Sequence, residues 1–372
     1  MLDYSPIAQA QQKSKVAFIA HPTDISLFRA YIKDLRPDKS YDDRLVMKLF
    51  EWSPSYPTKY WDDLFISDQK QIEGLFIMVP FLPEMRDIKL KQVISKIEGA
   101  LQIAQDNNCT VAALGAFTSI VLQGREAELS VKYNLKLTSG NTLTAALIIE
   151  GVSGIAARLG VDLKNSTIAV IGASGDIGSG CLAHFGDKVK KMILTARSTQ
   201  TLEAVSERLR SSVSCEMIVS SDIQKAIKES NIAIFVTSAY TQLCDIEDFL
   251  PGTIVCDASA PQNVRTINGL RDDVFLFHGG IAKLPRRLGI DFDIGLASSD
   301  HFYGCQTEGI LLALDAELPC SWGRGNISCE MINKYLSLIK DDQVIKVAYT
   351  SGDRIYSDSD IDNLSQKWST YR

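Results

Sequence analysis

The chain has 372 residues, more than one ordinary hydrophobic core accommodates, and this length predicts two domains. With 45% hydrophobic and 23% charged residues, its composition is that of a soluble globular protein. The formal net charge of −6 argues against a general nucleic-acid-binding protein.

The eight cysteines are scattered singly along the chain, without a C-x-x-C pair. This pattern is typical of reduced cytosolic thiols and argues against a disulfide framework or a zinc site, so we expect no metal. The first fifteen residues lack the apolar segment of a signal peptide, and we expect no membrane-spanning helix. The sequence therefore predicts a cytoplasmic protein without an integral membrane segment.

Strands and helices alternate along residues 1–161, which we predict to be an N-terminal α/β substrate domain that ends in a linking helix at 144–159. The expected strands are at 16–20, 74–79, 110–114 and 135–137, and further helices at 25–35 and 90–105. Residues 36–59 are predicted to be irregular. Side chains that follow the strands are candidate substrate-binding residues, although a histidine or a glutamate there could be ordinary: His21, Glu84, Phe117, Thr118 and Ser119.

The stretch from Thr167 to Ser198 is typical of a strand, a glycine turn, a helix and a second strand. Its glycines have the spacing G-x-x-G-x-x-G, which permits a sharp turn, close approach of a pyrophosphate and close packing of the helix. The helix N-terminus would present N–H groups to the phosphates. The alternative is a structural turn without a ligand. The candidate cofactor-binding residues here are Gly172, Ser174, Gly175, Asp176, Ile177 and Gly178.

The second strand of this unit ends near Thr195, and Arg197 and Ser198 follow it. An NAD site usually carries an acidic residue at this point, which hydrogen-bonds the ribose 2′-hydroxyl. A guanidinium and a hydroxyl suit a 2′-phosphate instead, so these three residues favour NADP(H). A solvated arginine at the end of a strand is the alternative.

Six strand-like runs between residues 167 and 278 predict a doubly wound, Rossmann-type parallel sheet, so the fold class is α/β. We assign residues 162–297 to this NADP-binding domain and 298–372 to C-terminal helices that pack at the interdomain cleft. The first of these helices is expected to begin at Ser299 or Asp300 and to run to about Glu317. Ligands bind at the carboxyl ends of such strands, which adds Asn141, Thr237, Ser238, Ala239 and Gly280 to the candidate cofactor-binding residues.

A nicotinamide enzyme needs a group that holds its substrate, and Cys305 is a candidate nucleophile in the first turns of that helix. The helix dipole would help to stabilise its thiolate. His301 lies four residues upstream, on the same helical face, and could act as the base or partner of the thiolate. A buried, inert cysteine is the alternative. Two basic clusters could dock an acidic carrier protein or be solvated faces: Lys188, Lys190 and Lys191, and Lys283, Arg286 and Arg287.

Taken together, the motifs resemble the cyanobacterial long-chain acyl-[acyl carrier protein] reductases, which form fatty aldehydes. The matching stretches occur in the same order over nearly the whole chain: Phe81–Met85, Ala113–Ile120, Thr138–Ala145, Thr167–Ser179, Leu194–Arg197 and Ser321–Ile327. Residues 36–61 and those after 340 have no assignable match, and residues 283–289 look like an insertion.

The resemblance implies NADPH-dependent reduction of a long-chain acyl thioester, carried by acyl carrier protein or coenzyme A, to a free aldehyde. Cys305 stands at the position of the family's nucleophile and would form an acyl-enzyme, and His21 matches a histidine after the family's first strand. An aldehyde-deformylating oxygenase is an implied partner. The two-domain layout is also similar to shikimate dehydrogenases, so an NADP oxidoreductase of a small hydroxy acid is an alternative. A non-catalytic NADP(H)-binding sensor and a reductase of shorter acyl, aminoacyl or peptidyl thioesters also stay open.

Overall fold

The computed structural model describes residues 14–22, 25–67, 70–82, 85, 88–115, 117–122, 124–284, 295–321, 327–340 and 345–371. The first part of the chain forms a five-stranded sheet with flanking helices. Its strands are β1 (Ser14–Ala20), β2 (Tyr56–Ser67), β3 (Lys70–Met78), β4 (Val111–Leu114) and β5 (Lys136–Thr138). Its helices are α1 (Ser26–Leu35), α2 (Asp43–Trp52), α3 (Leu90–Asp106), α4 (Phe117–Val121), α5 (Glu126–Tyr133) and α6 (Asn141–Leu159).

The first sheet has the strand order β2-β3-β1-β4-β5. All its neighbours are parallel except β2, which runs antiparallel to β3. Because β1 pairs with both β3 and β4, the winding direction of the chain reverses beside β1. A crevice therefore forms between the carboxyl ends of β1 and β4, where an open α/β sheet binds its ligands.

The prediction that residues 36–59 are irregular was wrong, because the segment contains α2 and the start of β2. Asp42 caps α2 by accepting a hydrogen bond of 2.8 Å from the backbone N–H of Leu45. Val46 and Phe50 are buried against Phe28 and Leu82, in a small cluster that propensity alone does not reveal.

The second sheet is the doubly wound sheet that the sequence predicted. Its strands, with two short flanking ones, are β6 (Thr167–Ile171), β7 (Lys191–Thr195), β8 (Glu216–Ser220), β9 (Ile232–Phe235), β10 (Cys244–Asp245), β11 (Thr253–Asp257), β12 (Val264–Arg265) and β13 (Val274–His278). Its helices are α7 (Asp176–Phe185), α8 (Thr199–Leu209) and α9 (Ile223–Lys228). Six of these strands are all parallel in the order β13-β11-β9-β6-β7-β8, so the winding reverses between β6 and β9 and the α/β fold class is confirmed.

The last part of the chain packs on both sheets. Its strands are β14 (Ile281–Lys283), β15 (His301–Tyr303), β16 (Lys346–Val347), β17 (Thr350–Ser351) and β18 (Arg354–Ile355), and its helices are α10 (Gly304–Leu314), α11 (Cys329–Lys340) and α12 (Asp358–Trp368). The expected helix start at Ser299 or Asp300 was wrong, because residues 301–303 pair with β14 and leave Tyr303 as the N-cap of α10.

One continuous apolar core joins the two sheets through α10 and α6. A Cβ at Gly309 of α10 would lie 2.7 Å from Ala113 Cβ in β4, and one at Gly151 of α6 would lie 3.0 Å from Phe277 in β13. By length and composition α6 could cross a membrane, yet 67% of its apolar window is buried inside the protein. It is therefore the core helix of this fold.

We expect Gly309→Ala to destabilise the protein by about 1–3 kcal/mol, because the new methyl group forces α10 away from the first sheet. Gly99→Ala is the matched control: it lies inside α3, and its added Cβ would meet nothing within 4 Å. That substitution should stabilise the fold by about 0.5–1 kcal/mol through helix propensity. Urea unfolding of both variants measures the difference. Equal free energies of unfolding would contradict the close packing of α10.

Candidate active site

The turn after β6 lies where the winding of the second sheet reverses, and only glycine fits its close contacts. Gly172 has φ +95°, and a Cβ there would lie 2.5 Å from the Val236 carbonyl oxygen. A Cβ at Gly178 would lie 2.5 Å from the Gly172 oxygen, so α7 begins directly against the turn. Gly175 is the N-cap of α7 and is exposed, and Ser174, Asp176 and Ile177 are half-buried beside it. This cradle fits the pyrophosphate of a dinucleotide.

Of the residues at the end of β7, Thr195 and Ser198 make hydrogen bonds that support the fold, whereas Arg197 is exposed. Thr195 is buried, and its carbonyl oxygen accepts the N–H groups of Gly172 and Ala173 at 2.8 and 3.1 Å. Ser198 is the N-cap of α8, where its hydroxyl oxygen accepts the Thr201 N–H at 3.3 Å. Arg197 is exposed at the carboxyl edge of the sheet, one strand away from the glycine turn. Its side chain is therefore accessible to a nucleotide bound at this edge.

The predicted residues after β9 and β13 also stand at this edge. The Thr237 hydroxyl donates to Asn263 Oδ1 at 2.6 Å and accepts the Ala239 N–H at 3.0 Å, while Ser238 is exposed. Gly280 has φ +73°, and its carbonyl oxygen accepts the Gly304 N–H at 2.8 Å. This carboxyl edge of the second sheet, which we call the cofactor edge, is thus connected by a backbone hydrogen bond to Gly304, the residue that precedes Cys305.

Cys305 is the second residue of α10 and lies where the loops of both sheets meet. A Cβ at Gly140, in the loop between β5 and α6, would lie 2.0 Å from Cys305 Cα. A Cβ at Gly115, directly after β4, would lie 3.9 Å from Cys305 Sγ and 3.3 Å from Ala20 Cβ. The half-buried thiol therefore stands at the crevice of the first sheet, and Asn141 is the first residue of α6 beside it.

The expectation of an acidic thiol was wrong for the free protein. Burial raises the pKa of Cys305 to about 11 and outweighs the Gln306 backbone N–H, which lowers it; the negative charge of Glu308 raises it further. Two N–H groups of a helix N-terminus do not offset the loss of solvent around the sulfur. The thiol is therefore protonated at neutral pH.

His301 does not share a helical face with Cys305, so that prediction was wrong. It lies in β15, opposite Lys283 of β14, and is 2% exposed. Its Nε2 is 3.7 Å from Asp300 Oδ1, and its Nδ1 has no partner among the described residues. Burial lowers its pKa, against the carboxylate of Asp300, which raises it.

His21 is held by hydrogen bonds on both ring nitrogens at the carboxyl end of β1. Its Nδ1 is 2.7 Å from the Pro22 oxygen, and its Nε2 accepts the Phe117 N–H at 3.2 Å. Burial lowers its pKa. Because Nε2 accepts a hydrogen bond, the proton of the ring is on Nδ1. Its ring centroid is 4.7 Å from that of Phe81 and 6.0 Å from that of Phe117, and the Phe117 centroid is 4.9 Å from that of Tyr240.

These four rings form an aromatic row (Phe81, His21, Phe117 and Tyr240) that crosses from the first sheet to the loop after β9 of the second. Thr118, by contrast, is buried, and its hydroxyl donates to the Gly115 carbonyl at 2.6 Å, so it supports the backbone. Ser119 is half-buried on α4. Glu84 lies outside the described residues.

The two predicted basic clusters are partly neutralised. Lys191 is 3.9 Å from Glu229, and Lys283 is 3.8 Å from Asp300. Lys188 and Lys190 are exposed, and Lys188 contacts His184; Arg286 and Arg287 lie outside the described residues. Among the described residues, no group of three His, Cys, Asp or Glu side chains could hold a metal ion.

Sequence reasoning missed Gly115, Gly140 and Glu308. The two glycines are recognisable only from their contacts with Cys305, because they carry no side chain and come close to it through the tertiary fold. Glu308 offered a signal: it is the single charged residue of helix α10, whose second half is apolar. It is 0% exposed, and burial raises its pKa to about 7 against hydrogen bonds from Thr138, Leu143 and Ser321.

Known proteins with similar sequences agree with this geometry. The family profile described as shikimate / quinate 5-dehydrogenase matches residues 154–278, most of which form the second sheet and its helices. The chain is 28% identical over 331 residues to a long-chain acyl-[acyl-carrier-protein] reductase from Synechococcus elongatus, covering 84% of this chain and 93% of that one. It is 23% identical over 362 residues to the aminotransferase PigE of a Serratia species, covering 92% of this chain but 40% of that one.

Solved structures resemble the chain more distantly. L-tryptophan dehydrogenase from Nostoc punctiforme is 9% identical, with a TM-score of 0.39, over 97% of this chain and 89% of that one. The nucleotide-binding domain of glutamyl-tRNA reductase from Thermoplasma volcanium is 19% identical, with a TM-score of 0.27, over 36% of this chain and 84% of that one. With scores this low, the fold description rests on the strand order of this chain itself.

The alignment with the reductase covers 84% of the chain, in keeping with matching motifs that are spread over nearly its whole length. The dehydrogenase profile covers the glycine turn and the strands that would hold a nicotinamide nucleotide. The chain is therefore an oxidoreductase of Rossmann type, and its resemblance to the long-chain acyl-[acyl-carrier-protein] reductases is confirmed over most of its length.

Proposed function

We propose that the protein reduces an acyl thioester to a free aldehyde with NADPH, and that Cys305 is its acyl acceptor. The observation that carries this proposal is the position of the thiol. The thiol lies at the crevice of the first sheet. A backbone hydrogen bond connects the start of its helix, α10, to the cofactor edge of the second sheet. A substrate held on this sulfur would therefore lie between the two crevices.

The first step is transfer of the acyl group to the protein. The Cys305 sulfur attacks the thioester carbonyl carbon, a new C–S bond forms, and the C–S bond to the carrier breaks. The thiol proton goes to the departing carrier sulfur, so the carrier leaves as a free thiol. The N–H groups in the first turn of α10 favour the negative charge that develops during this transfer.

NADPH, when bound, supplies the hydride that reduces the acyl carbon. The turn Gly172–Gly178 would bind its pyrophosphate and Arg197 its 2′-phosphate, and Asn141 and Thr237–Ala239 would contact its nicotinamide end. Cys305 then leaves the acyl carbon with its bonding electrons and regains a proton. The product is an aldehyde and a free thiol, ready for the next acyl group.

The aromatic row supports an apolar substrate. Phe81 is buried, Phe117 is half-buried, and the rings of Phe117 and Tyr240 join the two sheets beside the site. Such a surface excludes water from an acyl-enzyme, which would otherwise hydrolyse. The name of the reductase from Synechococcus elongatus supports a long-chain acyl group on acyl carrier protein as the substrate. A cytoplasmic location and an aldehyde-consuming enzyme as partner belong to the same proposal.

Acyl transfer can be tested without the cofactor. We expect intact-protein mass spectrometry to show one acyl adduct when the protein is mixed with a long-chain acyl thioester and no NADPH. Cys305→Ala should abolish the adduct, because the proposed acyl acceptor is then missing. Cys329→Ala, which removes an exposed cysteine, is the control and should keep it. Absence of an adduct from the wild type would favour the hydroxy-acid dehydrogenase that the matched profile suggests.

Cofactor choice can be tested at Arg197. We expect Arg197→Ala to weaken NADPH binding about tenfold or more and to leave NADH binding within a factor of about two, since only NADPH carries the 2′-phosphate. Arg208→Ala, which removes an exposed arginine from α8, is the matched control. Fluorescence titration measures both constants. Equal losses for the two nucleotides would contradict recognition of the phosphate by Arg197.

The state of the free thiol can be tested by its pH dependence. Because burial raises the pKa of Cys305 to about 11, its alkylation by iodoacetamide should accelerate roughly tenfold per pH unit from pH 7 to 10. Peptide mass mapping assigns the modification to Cys305. A rate that levels off below pH 8 would show that the resting protein already holds a thiolate.

A further inference from the structure

The carboxylate of Glu308 joins three separate segments beside the thiol. One oxygen accepts hydrogen bonds from the Thr138 hydroxyl at the end of β5 and, at 3.4 Å, from the Ser321 N–H. The other accepts the Leu143 N–H in the first turn of α6 at 2.8 Å. Glu308 itself lies on α10, one turn after Cys305 and on the same side of the helix.

Ser321 closes this network. Its carbonyl oxygen accepts the Ser139 N–H at 2.9 Å, and its hydroxyl oxygen accepts the Thr142 N–H at 3.1 Å. Thr138 and Ser321 begin two of the stretches that carry the family resemblance, Thr138–Ala145 and Ser321–Ile327. Neither stretch is part of the glycine turn, and this network connects the two.

We propose that Glu308 is a positioning residue, whose buried carboxylate fastens the start of α6 and the segment at Ser321 to the first turns of the nucleophile helix. The proposal rests on the proposed function, in which Cys305 accepts the acyl group. The geometric basis of the proposal is the close contact between Gly140 and Cys305. This contact forms only while residues 138–141 pack against α10. Among the described residues, the groups that contact the Glu308 carboxylate are hydrogen-bond donors and none of them is a cation.

The ionisable groups around Glu308 determine the effect that we expect from its replacement. Cys305 interacts with Glu308 from the same helix, Cys320 from the segment after α10, and Tyr335 from α11. Lys136 of β5 donates hydrogen bonds to the carbonyl oxygens of residues 316 and 318 in that segment. Glutamine removes the negative charge beside the thiol. Its amide nitrogen must also replace an oxygen that now accepts a backbone N–H.

The experiment compares Glu308→Gln with Glu126→Gln, a second buried glutamate, which accepts the Gly124 N–H at 2.7 Å in the first sheet's domain. We expect Glu308→Gln to shift the alkylation curve of Cys305 to lower pH while kcat for aldehyde formation falls about tenfold or more. The KM for NADPH should stay within about twofold, because the glycine turn is not part of the network. Glu126→Gln should change none of these three quantities.

If Glu308 only stabilised the fold, its replacement would not change the alkylation curve and kcat while leaving the KM for NADPH unchanged. Protection of Cys181 and Cys256, which are buried, reports that the variant is folded during alkylation. A folded Glu308→Gln protein with the wild-type alkylation curve and kcat would overturn the proposal. If the alkylation curve shifts but the wild type forms no acyl adduct, the positioning role stands and the proposed reaction fails.

Thr138→Val is the second variant and serves if Glu308→Gln does not fold. It removes one hydrogen bond to the carboxylate but keeps the charge. We expect kcat to fall severalfold with an unchanged KM for NADPH and no shift of the alkylation curve to lower pH. Together with Glu308→Gln, its effect should be less than additive, since both act on one network. An unchanged kcat in Thr138→Val would also contradict the proposal.

Discussion

The contact between the backbone of Gly140 and Cys305 is the constraint on which the site depends. There is no room for a side chain between them, so the loop after β5 and the first turn of α10 occupy fixed positions relative to each other. Since α10 lies on the first sheet and α6 continues to the second, this contact also relates the two sheets. A displacement at this point would move the thiol and the cofactor edge apart.

The architecture explains why the chemistry is found here. Each sheet reverses its winding once between neighbouring parallel strands, beside β1 in the first sheet and beside β6 in the second. Such reversals open crevices at the carboxyl ends of strands, where loops are free to carry functional groups. The short helix α10 connects the two crevices, so a small number of residues can contribute to both. One such connection is the backbone hydrogen bond between Gly280 and Gly304.

Local patterns were sufficient to predict the elements of the second sheet, the glycine turn and the position of Cys305 near the start of a helix. They failed where a distant partner decides the structure. Residues 301–303 form a run too short to predict a strand, although two of them are aromatic, and they become β15 because they pair with β14. The acidity of the thiol was also mispredicted, because helix position is visible in sequence whereas burial by Gly115 and Gly140 is not. The roles of the predicted site residues stay predictions.

The buried, protonated state of Cys305 has a consequence for the lifetime of the protein. Peroxides and disulfides react with thiolates, and oxidation of a thiolate to a sulfinic acid is in general irreversible. A thiol that keeps its proton is therefore a poor target for oxidants. Burial also raises the pKa of Cys109 and Cys181 to about 12, so these two thiols share that resistance. In a compartment where oxidants accumulate, the packing around Cys305 thus preserves a reduced sulfur that a more acidic cysteine would lose.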